Sequence, residues 1–190
     1  MRRLMLVLFI LLFGVSTACA DVVKTVSTEY YPVDGHDPKN IFDNLKHHSP
    51  LNEGSSTYQA HTRTDLRYSF KWRHRGKQCS PEQVTVYLHL TYLYPKLIHS
   101  VDYATRKWWK KFMIKLEEHE LIHGEISIKA AHELDDVLEA FPPTDCASFK
   151  EVVKRRATRI LDRMKRDQQD YDKLTQHGLK QERNMGRYPR

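Results

Sequence analysis

Alternating apolar and polar residues in the first half of the chain predict a β-hairpin. Apolar side chains fall on every second residue towards the end of Tyr58–Trp72, and a second alternating run covers Gln83–Tyr94. A period of two places one row of side chains in the core and the other in solvent. We therefore predict two half-buried strands that pair antiparallel, joined by a polar connection that contains Gly76.

A strand and a short helix precede this hairpin. The run Val22–Tyr31 is rich in β-branched and aromatic residues, which predicts a strand, and Pro32 ends it. Asp37 followed by Pro38 is typical of a helix start, because an aspartate side chain caps free backbone N–H groups and proline lacks one. This second element is expected to end by Ser49.

Two long helices are predicted in the second half of the chain. The first starts at a cap, Ser100 or Asp102, and ends at Phe141, before two prolines. The second starts at Ser148 and runs to about Leu174. The elements together predict an α+β fold, in which a small antiparallel sheet packs against the two long helices.

The N-terminus has the three parts of a secretory signal peptide. Arg2-Arg3 is the charged region, residues 4–15 are apolar, and Ala18-Cys19-Ala20 is a small-residue cleavage site. We predict export, to the periplasm or the medium, with cleavage after Ala20 favoured over lipid anchoring through Cys19. The predicted division is a signal peptide over 1–20, a single α+β domain over 21–178, and a polar tail over 179–190.

Export and composition indicate a disulfide and limit the partners. Cys79 and Cys146 are the cysteines left after cleavage, and an even number in an exported domain predicts a bridge. The formal net charge is +7, with much of the excess in Lys150–Arg166. An exported chain rarely meets nucleic acid, so we expect no such partner. The basic third helix is either a solvated face or a site for an anionic envelope surface.

The first long helix carries His119-Glu120-Leu121-Ile122-His123, which has the zinc-peptidase spacing His-Glu-x-x-His. Two histidines four residues apart lie on one side of a helix, so both can reach one metal. The glutamate can act as general base on a water. A helical projection places all three functional residues on the apolar stripe, where polar groups need partners, and His132 on the opposite face.

A catalytic zinc site needs a third protein ligand, which this motif does not supply. Candidates in the third helix or just beyond it are Asp167, Asp170, Asp172 and His177. If the two long helices are antiparallel, residues 163–171 lie level with the motif, which favours Asp167 or Asp170. His177 would lie about 15 Å too far along a straight helix.

A second motif lies at residues 171–178, which have the form Tyr-Asp-x-x-Thr-x-His-Gly. Other marked features are Tyr31-Pro32-Val33-Asp34-Gly35, Ser49-Pro50, Trp72, Cys79, Pro95, Trp109, Phe112 and Cys146. With these features and the zinc motif, the chain resembles an uncharacterised bacterial family of predicted secreted zinc-dependent proteases. The resemblance implies a zincin-like domain over 21–178 and His177 as the third ligand. Tyr171 is a candidate donor to an oxyanion, and a packed core aromatic is the alternative.

We therefore predict an exported zinc-dependent metallopeptidase that hydrolyses peptide or amide bonds of a peptide or protein substrate. Zn²⁺ is expected to be held by His119, His123 and His177. Glu120 is expected to take a proton from the attacking water and pass it to the leaving amine. The alternative is a non-catalytic envelope or binding module that a metal stabilises.

Overall fold

The computed structural model describes residues 21–53 and 56–178. The predicted signal peptide, with Cys19 and its cleavage site, and the predicted tail at 179–190 lie outside the described residues. Among the helices of the described ranges, none combines the length and the apolar character needed to cross a membrane.

The described residues form a mixed α+β fold, as predicted. Three helices are present in these ranges: α1 (Pro38–His48), α2 (Tyr103–Glu139) and α3 (Phe149–Thr175). The strands are β1 (Asp21–Val33), β2 (Asn52–Glu53), β3 (Ser56–Thr57), β4 (His61–Arg75), β5 (Gln78–Leu97) and β6 (Thr144–Asp145).

Strands β4 and β5 form the predicted antiparallel hairpin, which is longer than expected. Their pairing extends from His61 opposite Leu93 to Arg75 opposite Gln78. The polar segment read as a connection is therefore paired, and the turn is reduced to Gly76 and Lys77. Gly76 has a φ of 61°, which glycine adopts without a steric penalty. Residues 71–75 of β4 are all exposed, so the sequence at this end of the strand lacks the alternation that marks a half-buried strand.

The sheet is mixed, whereas an antiparallel sheet was expected. Strand β5 lies between β1 and β4, and β6 pairs with its first residues. Strand β1 runs parallel to β5, with Asp21 opposite Thr85 and Val33 opposite Leu97. Strand β4 starts at the end of the sheet where β1 stops, so it runs back along the sheet. Its hairpin partner β5 therefore has the same direction as β1.

The predicted capping residues are confirmed for the first two helices. The Asp37 carboxylate accepts hydrogen bonds from the backbone N–H groups of Lys39 and Asn40, both at 2.9 Å. The Asp102 carboxylate accepts one from Thr105 N at 2.8 Å. These bonds satisfy donors that the first turn of a helix leaves without partners.

The helices α2 and α3 pack on one face of the sheet around a single large core. Inward side chains of the central strand, among them Val86, Leu88 and Leu90, are buried against apolar residues of both helices. The predicted disulfide between Cys79 and Cys146 is formed, and it ties the start of β5 to the turn before α3. Closing so long a loop stabilises the fold by about 4 kcal/mol in the chain-entropy account.

Directly after the zinc motif, the glycine at position 124 of α2 faces side chains of β5. A Cβ at Gly124 would lie 1.9 Å from the hydroxyl oxygen of Tyr92 on β5. A side chain at this position would therefore require the Tyr92 ring or the helix to shift. Gly124 leaves the room that the Tyr92 hydroxyl occupies beside His123.

Replacing Gly124 with alanine is expected to lower the free energy of unfolding. Overpacking costs about 1–3 kcal/mol, which exceeds the gain of up to about 1 kcal/mol from removing a helical glycine. Denaturant unfolding measures the change. The control is the same substitution in a Tyr92→Phe background, where the nearest remaining ring atom is Cζ at 3.0 Å. Equal destabilisation in both backgrounds would contradict the assignment of the clash to the hydroxyl.

Candidate metal centre

The two histidines of the motif stand side by side in the interior, as helical spacing predicts. His119 is 3% exposed and His123 is 8% exposed. Their Nε2 atoms are 3.2 Å apart. Both rings are directed from α2 towards α3, where they contact Gln168 and Asp172.

The third group is supplied by Asp172 of α3. Its Oδ1 atom lies 3.1 Å from Nε2 of His119 and 3.0 Å from Nε2 of His123. Donor atoms around a tetrahedral metal at 2.0–2.1 Å are themselves about 3.3 Å apart. The three donors therefore form a triangle close to the size that zinc requires, and imidazole nitrogen with carboxylate oxygen is a donor set that suits it.

The electrostatics of this cluster keep the carboxylate ionised. Burial acts to raise the pKa of Asp172, but hydrogen bonds from His119 and His123 hold it well below its usual range. Burial acts to lower the pKa of His123, and the bond to Asp172 outweighs that effect, so the pKa is raised. A metal ion bound here would take the place of a proton on the histidine, with release of that proton.

The structure brings His177 to the same site, at its solvent-exposed rim. Its Nδ1 atom lies 3.6 Å from Oδ1 of Asp172. The ring of Tyr58 is tilted against it at a centroid distance of 4.8 Å. His177 lies outside the triangle of His119, His123 and Asp172. Its expected role as third ligand stays a prediction.

The reach of His177 comes from the way α3 ends. The helix stops at Thr175, and Gln176 and His177 both have a left-handed φ of 51°. This turn directs the chain back towards α2, so that a Cβ at Gly178 would lie 3.5 Å from Cγ of His119. The distance expected from a straight helix does not apply once the chain has left the helix.

The two aspartates that straight-helix geometry favoured are not brought to the site. Asp167 and Asp170 are exposed on α3, and Asp170 lies 3.8 Å from Lys173. The face of α3 that meets the motif carries Gln168 and Asp172, which are four residues apart. The exposure of His132 on α2 agrees with its expected position on the opposite face.

Tyr171 lies beneath the two imidazoles. It is 1% exposed, and its ring stacks on His119 at 4.8 Å and meets His123 edge-on at 5.0 Å. These contacts fix the orientation of both rings. The structure thus places Tyr171 as a packed aromatic, and donation from its hydroxyl to an oxyanion stays a prediction.

Gln168 is a functional candidate that the sequence reasoning missed. Its amide nitrogen donates to the backbone carbonyl of His123 and to Oγ of Ser127, both at 3.0 Å. Its amide oxygen therefore faces Nδ1 of His123, with which it forms a short contact. The proton on Nδ1 leaves Nε2 to face the metal position. Such a partner is the usual means of fixing the tautomer of a metal-ligating histidine.

The general-base candidate is held by the sheet. Glu120 is 4% exposed, and Oγ1 of Thr62 on β4 donates to its Oε2 atom at 2.6 Å. Two turns further along α2, Ser127 bonds to Thr64 at 2.7 Å. The sequence pattern could have predicted that Thr62 and Thr64 face inward. Extending the inward alternation of β4 backwards from Leu66 places Thr64 and Thr62 on the same face.

A cleft of about 550 Å³ opens at this group of residues. One wall is the first part of β4, the floor is the motif on α2, and the other wall is the last part of α3. Its lining includes Glu120, His119, His123, Asp172 and His177. The arrangement can hold a divalent metal, keep a carboxylate beside it, and admit an extended substrate from solvent.

Replacing Gln168 with leucine is expected to lower metal affinity by about 10- to 100-fold, because His123 loses the acceptor that fixes its tautomer. Competition with a chelating dye measures this affinity. The matched control is Gln169→Leu, which alters an exposed neighbour on the same helix. Unchanged affinity in the Gln168 variant would show that the hydrogen bond does not orient the ligand.

The third ligand is identified by comparing Asp172→Ala with His177→Ala. The triangle of donors predicts that Asp172→Ala loses stoichiometric zinc, whereas His177→Ala keeps it. Metal content after purification without added metal is the measurement, and Asp170→Ala on the exposed face is the control. Loss of zinc in His177→Ala, with zinc kept in Asp172→Ala, would identify His177 as the ligand.

A comparison with family models is consistent with an uncharacterised bacterial family, and the description of the matching family names no protease activity. A model of the family described as "Bacterial protein of unknown function (DUF922)" matches residues 28–178. That span contains every residue of the site. No curated protein and no solved structure matches the chain. Because the family model covers most of the sequence, the chain belongs to this bacterial family of unknown function.

Proposed function

We propose that this protein is a zinc-dependent hydrolase of peptide or amide bonds. The observation that carries the proposal is the triangle of donors from His119, His123 and Asp172, with sides of 3.0–3.2 Å, beside the carboxylate of Glu120. A purely structural metal site does not require a further carboxylate such as that of Glu120, which lines the same cleft as the three donors. The cleft gives this group access to a substrate.

The chemistry follows from the placement of the side chains. A zinc ion in this donor set would polarise the scissile carbonyl and make a neighbouring water more acidic. Glu120 takes the proton from the attacking water and passes it to the leaving nitrogen. Thr62 holds one oxygen of that carboxylate, so the base keeps a fixed orientation during both transfers.

His177 has a separate role in this proposal when Asp172 completes the ligands. It stands at the mouth of the cleft, where its ring can donate a hydrogen bond to the oxyanion that develops on the substrate. The buried position of Tyr171 makes it the less direct donor of the two. The ligand role implied for His177 by resemblance is the alternative, and the zinc contents of Asp172→Ala and His177→Ala distinguish the two.

A non-catalytic module is the second candidate function. The 3.6 Å separation of His177 from Asp172 favours it, because a small shift of this exposed ring would add a fourth protein donor. Four protein ligands are typical of structural zinc. This candidate predicts stoichiometric zinc and no hydrolysis of any substrate.

We also propose that the protein is exported. The leader-like residues 1–20 support this proposal, and so does the disulfide between Cys79 and Cys146, since such bridges persist in oxidising compartments. A peptide or protein in the bacterial envelope or the medium is then the expected substrate.

Replacing Glu120 with glutamine is expected to reduce turnover about 10²- to 10⁴-fold while zinc is retained, because the amide cannot accept the proton. Cleavage of a quenched fluorescent peptide library, together with elemental analysis of zinc, measures both quantities. Glu117→Gln on the exposed side of α2 is the matched control. Full activity in the Glu120 variant would overturn the mechanism, and zinc without turnover in the wild type would favour the non-catalytic module.

A further inference from the structure

The first part of α2 extends past the C-terminal end of α3. Asp172 of α3 meets the motif at His119, and α3 ends at Thr175. The helices are antiparallel, so residues 103–115 of α2 project past the end of α3 by about 20 Å at 1.5 Å per residue. We call these residues the projecting segment of α2. It precedes the catalytic motif and takes no part in it.

One side of the projecting segment is anchored on the fold. Trp108, Trp109 and Phe112 pack against a small core formed by β1 and α1, which contains Tyr31 and Ile41. The segment is therefore a rigid helix with a defined inner and outer side. Its outer side faces solvent and carries Tyr103 and Ile114.

The outer side combines cations with exposed apolar groups. Tyr103 is 79% exposed, Ile114 is 45% exposed, and Ile98, just before the helix, is 54% exposed. At 100° per residue, Tyr103, Lys107, Lys110 and Ile114 fall within about 60° of one another. The cations of the segment are Arg106, Lys107, Lys110, Lys111 and Lys115. No aspartate or glutamate occurs between Tyr103 and Leu116.

A groove of about 650 Å³ lies beside this segment and shares its character. Tyr30, Trp109 and Met113 contribute apolar surface, and Lys96 and Arg106 contribute positive charge. Nζ of Lys96 lies 5.6 Å from the centroid of the Tyr30 ring. Among the described residues that line the groove there is no carboxylate. Positive charge and apolar surface are thus present both on the outer side of the projecting segment and in the groove beside it.

This combination suits the surface of an anionic bilayer. Tyrosine, tryptophan and long basic side chains place an apolar body among lipid chains and a polar tip at the headgroups. A soluble polyanion requires the cations but has no use for Tyr103 and Ile114. The basic half of α3 differs in this respect, since none of the large exposed apolar residues in the described ranges lies on that helix.

We propose that the projecting segment of α2, with Ile98, is a peripheral binding site for an anionic phospholipid bilayer. Its lysines and Arg106 contact lipid phosphates, and Tyr103 and Ile114 enter the headgroup region. His119 follows Ile114 by five residues, or about 8 Å along the helix, so the cleft is held close to the membrane surface. The proposal does not depend on hydrolysis, and it is expected to hold with or without bound metal.

The test is co-sedimentation of the chain from Asp21 onwards with lipid vesicles. This chain contains the whole described fold, and it lacks the apolar residues 4–15 that would bind lipid by themselves. Vesicles of phosphatidylglycerol and phosphatidylcholine in equal amounts are compared with phosphatidylcholine alone. Binding to the anionic vesicles is expected to weaken as salt is raised, and tryptophan emission is expected to shift to the blue as Trp109 loses water.

Matched variants locate the surface. Replacing Lys107, Lys110 and Lys111 together with glutamine is expected to lower the partition coefficient about 10- to 100-fold. Tyr103→Ser with Ile114→Ser is expected to lower it several-fold and to remove the blue shift. The control replaces Lys154, Arg155 and Arg159 of α3 with glutamine, and it is expected to change binding by less than about twofold.

Three results would overturn the proposal. Equal binding to neutral and anionic vesicles would remove the electrostatic basis. Loss of binding in the α3 control, with the α2 variants unaffected, would move the surface to α3. Binding that survives Tyr103→Ser with Ile114→Ser, and that a soluble polyanion matches, would identify an anionic polymer as the partner. Unchanged thermal unfolding of each variant checks that only the surface has been altered.

Discussion

Polar side chains of α2 are buried in the interior of this protein, and each needs a partner because water is excluded there. Glu120 receives its hydrogen bond from Thr62 of β4. His123 is held by Gln168 of α3, and both histidines meet Asp172 of the same helix. The need to satisfy these groups therefore joins the sheet and two helices at one point. The same contacts bring the donor atoms of His119, His123 and Asp172 together, where they could hold a metal ion.

The rest of the fold sets the positions from which those partners act. Gly124 leaves room for the hydroxyl of Tyr92 on β5, one helical turn after Glu120, which Thr62 of β4 contacts. The disulfide between Cys79 and Cys146 fixes the start of α3 against β5. Since a helix is a rigid rod over this length, the position of its first residues determines which side chain lies opposite the motif some twenty residues later. In this chain that side chain is Asp172.

Much of the secondary structure could be predicted because its determinants are local. The caps at Asp37 and Asp102, the alternation in the hairpin and the pairing of two cysteines each depend on a few neighbouring residues or on simple counting. The parallel placement of β1 was missed because alternation shows which face of a strand is buried and not which strand lies beside it. The last part of β4 was missed because residues 71–75 are all exposed, so no alternation arises there.

The sequence alone determined that His119, Glu120 and His123 share one buried side of a helix, because residues three and four apart are neighbours by helical geometry. It also limited the third donor to the chain beyond residue 166. Only the tertiary structure placed Asp172 against both histidines and His177 at the rim. That outcome depends on where α3 is anchored and how it ends, and Gln168 entered the site for the same reason. These contacts join residues more than forty positions apart, and no local pattern records the register of one helix against another.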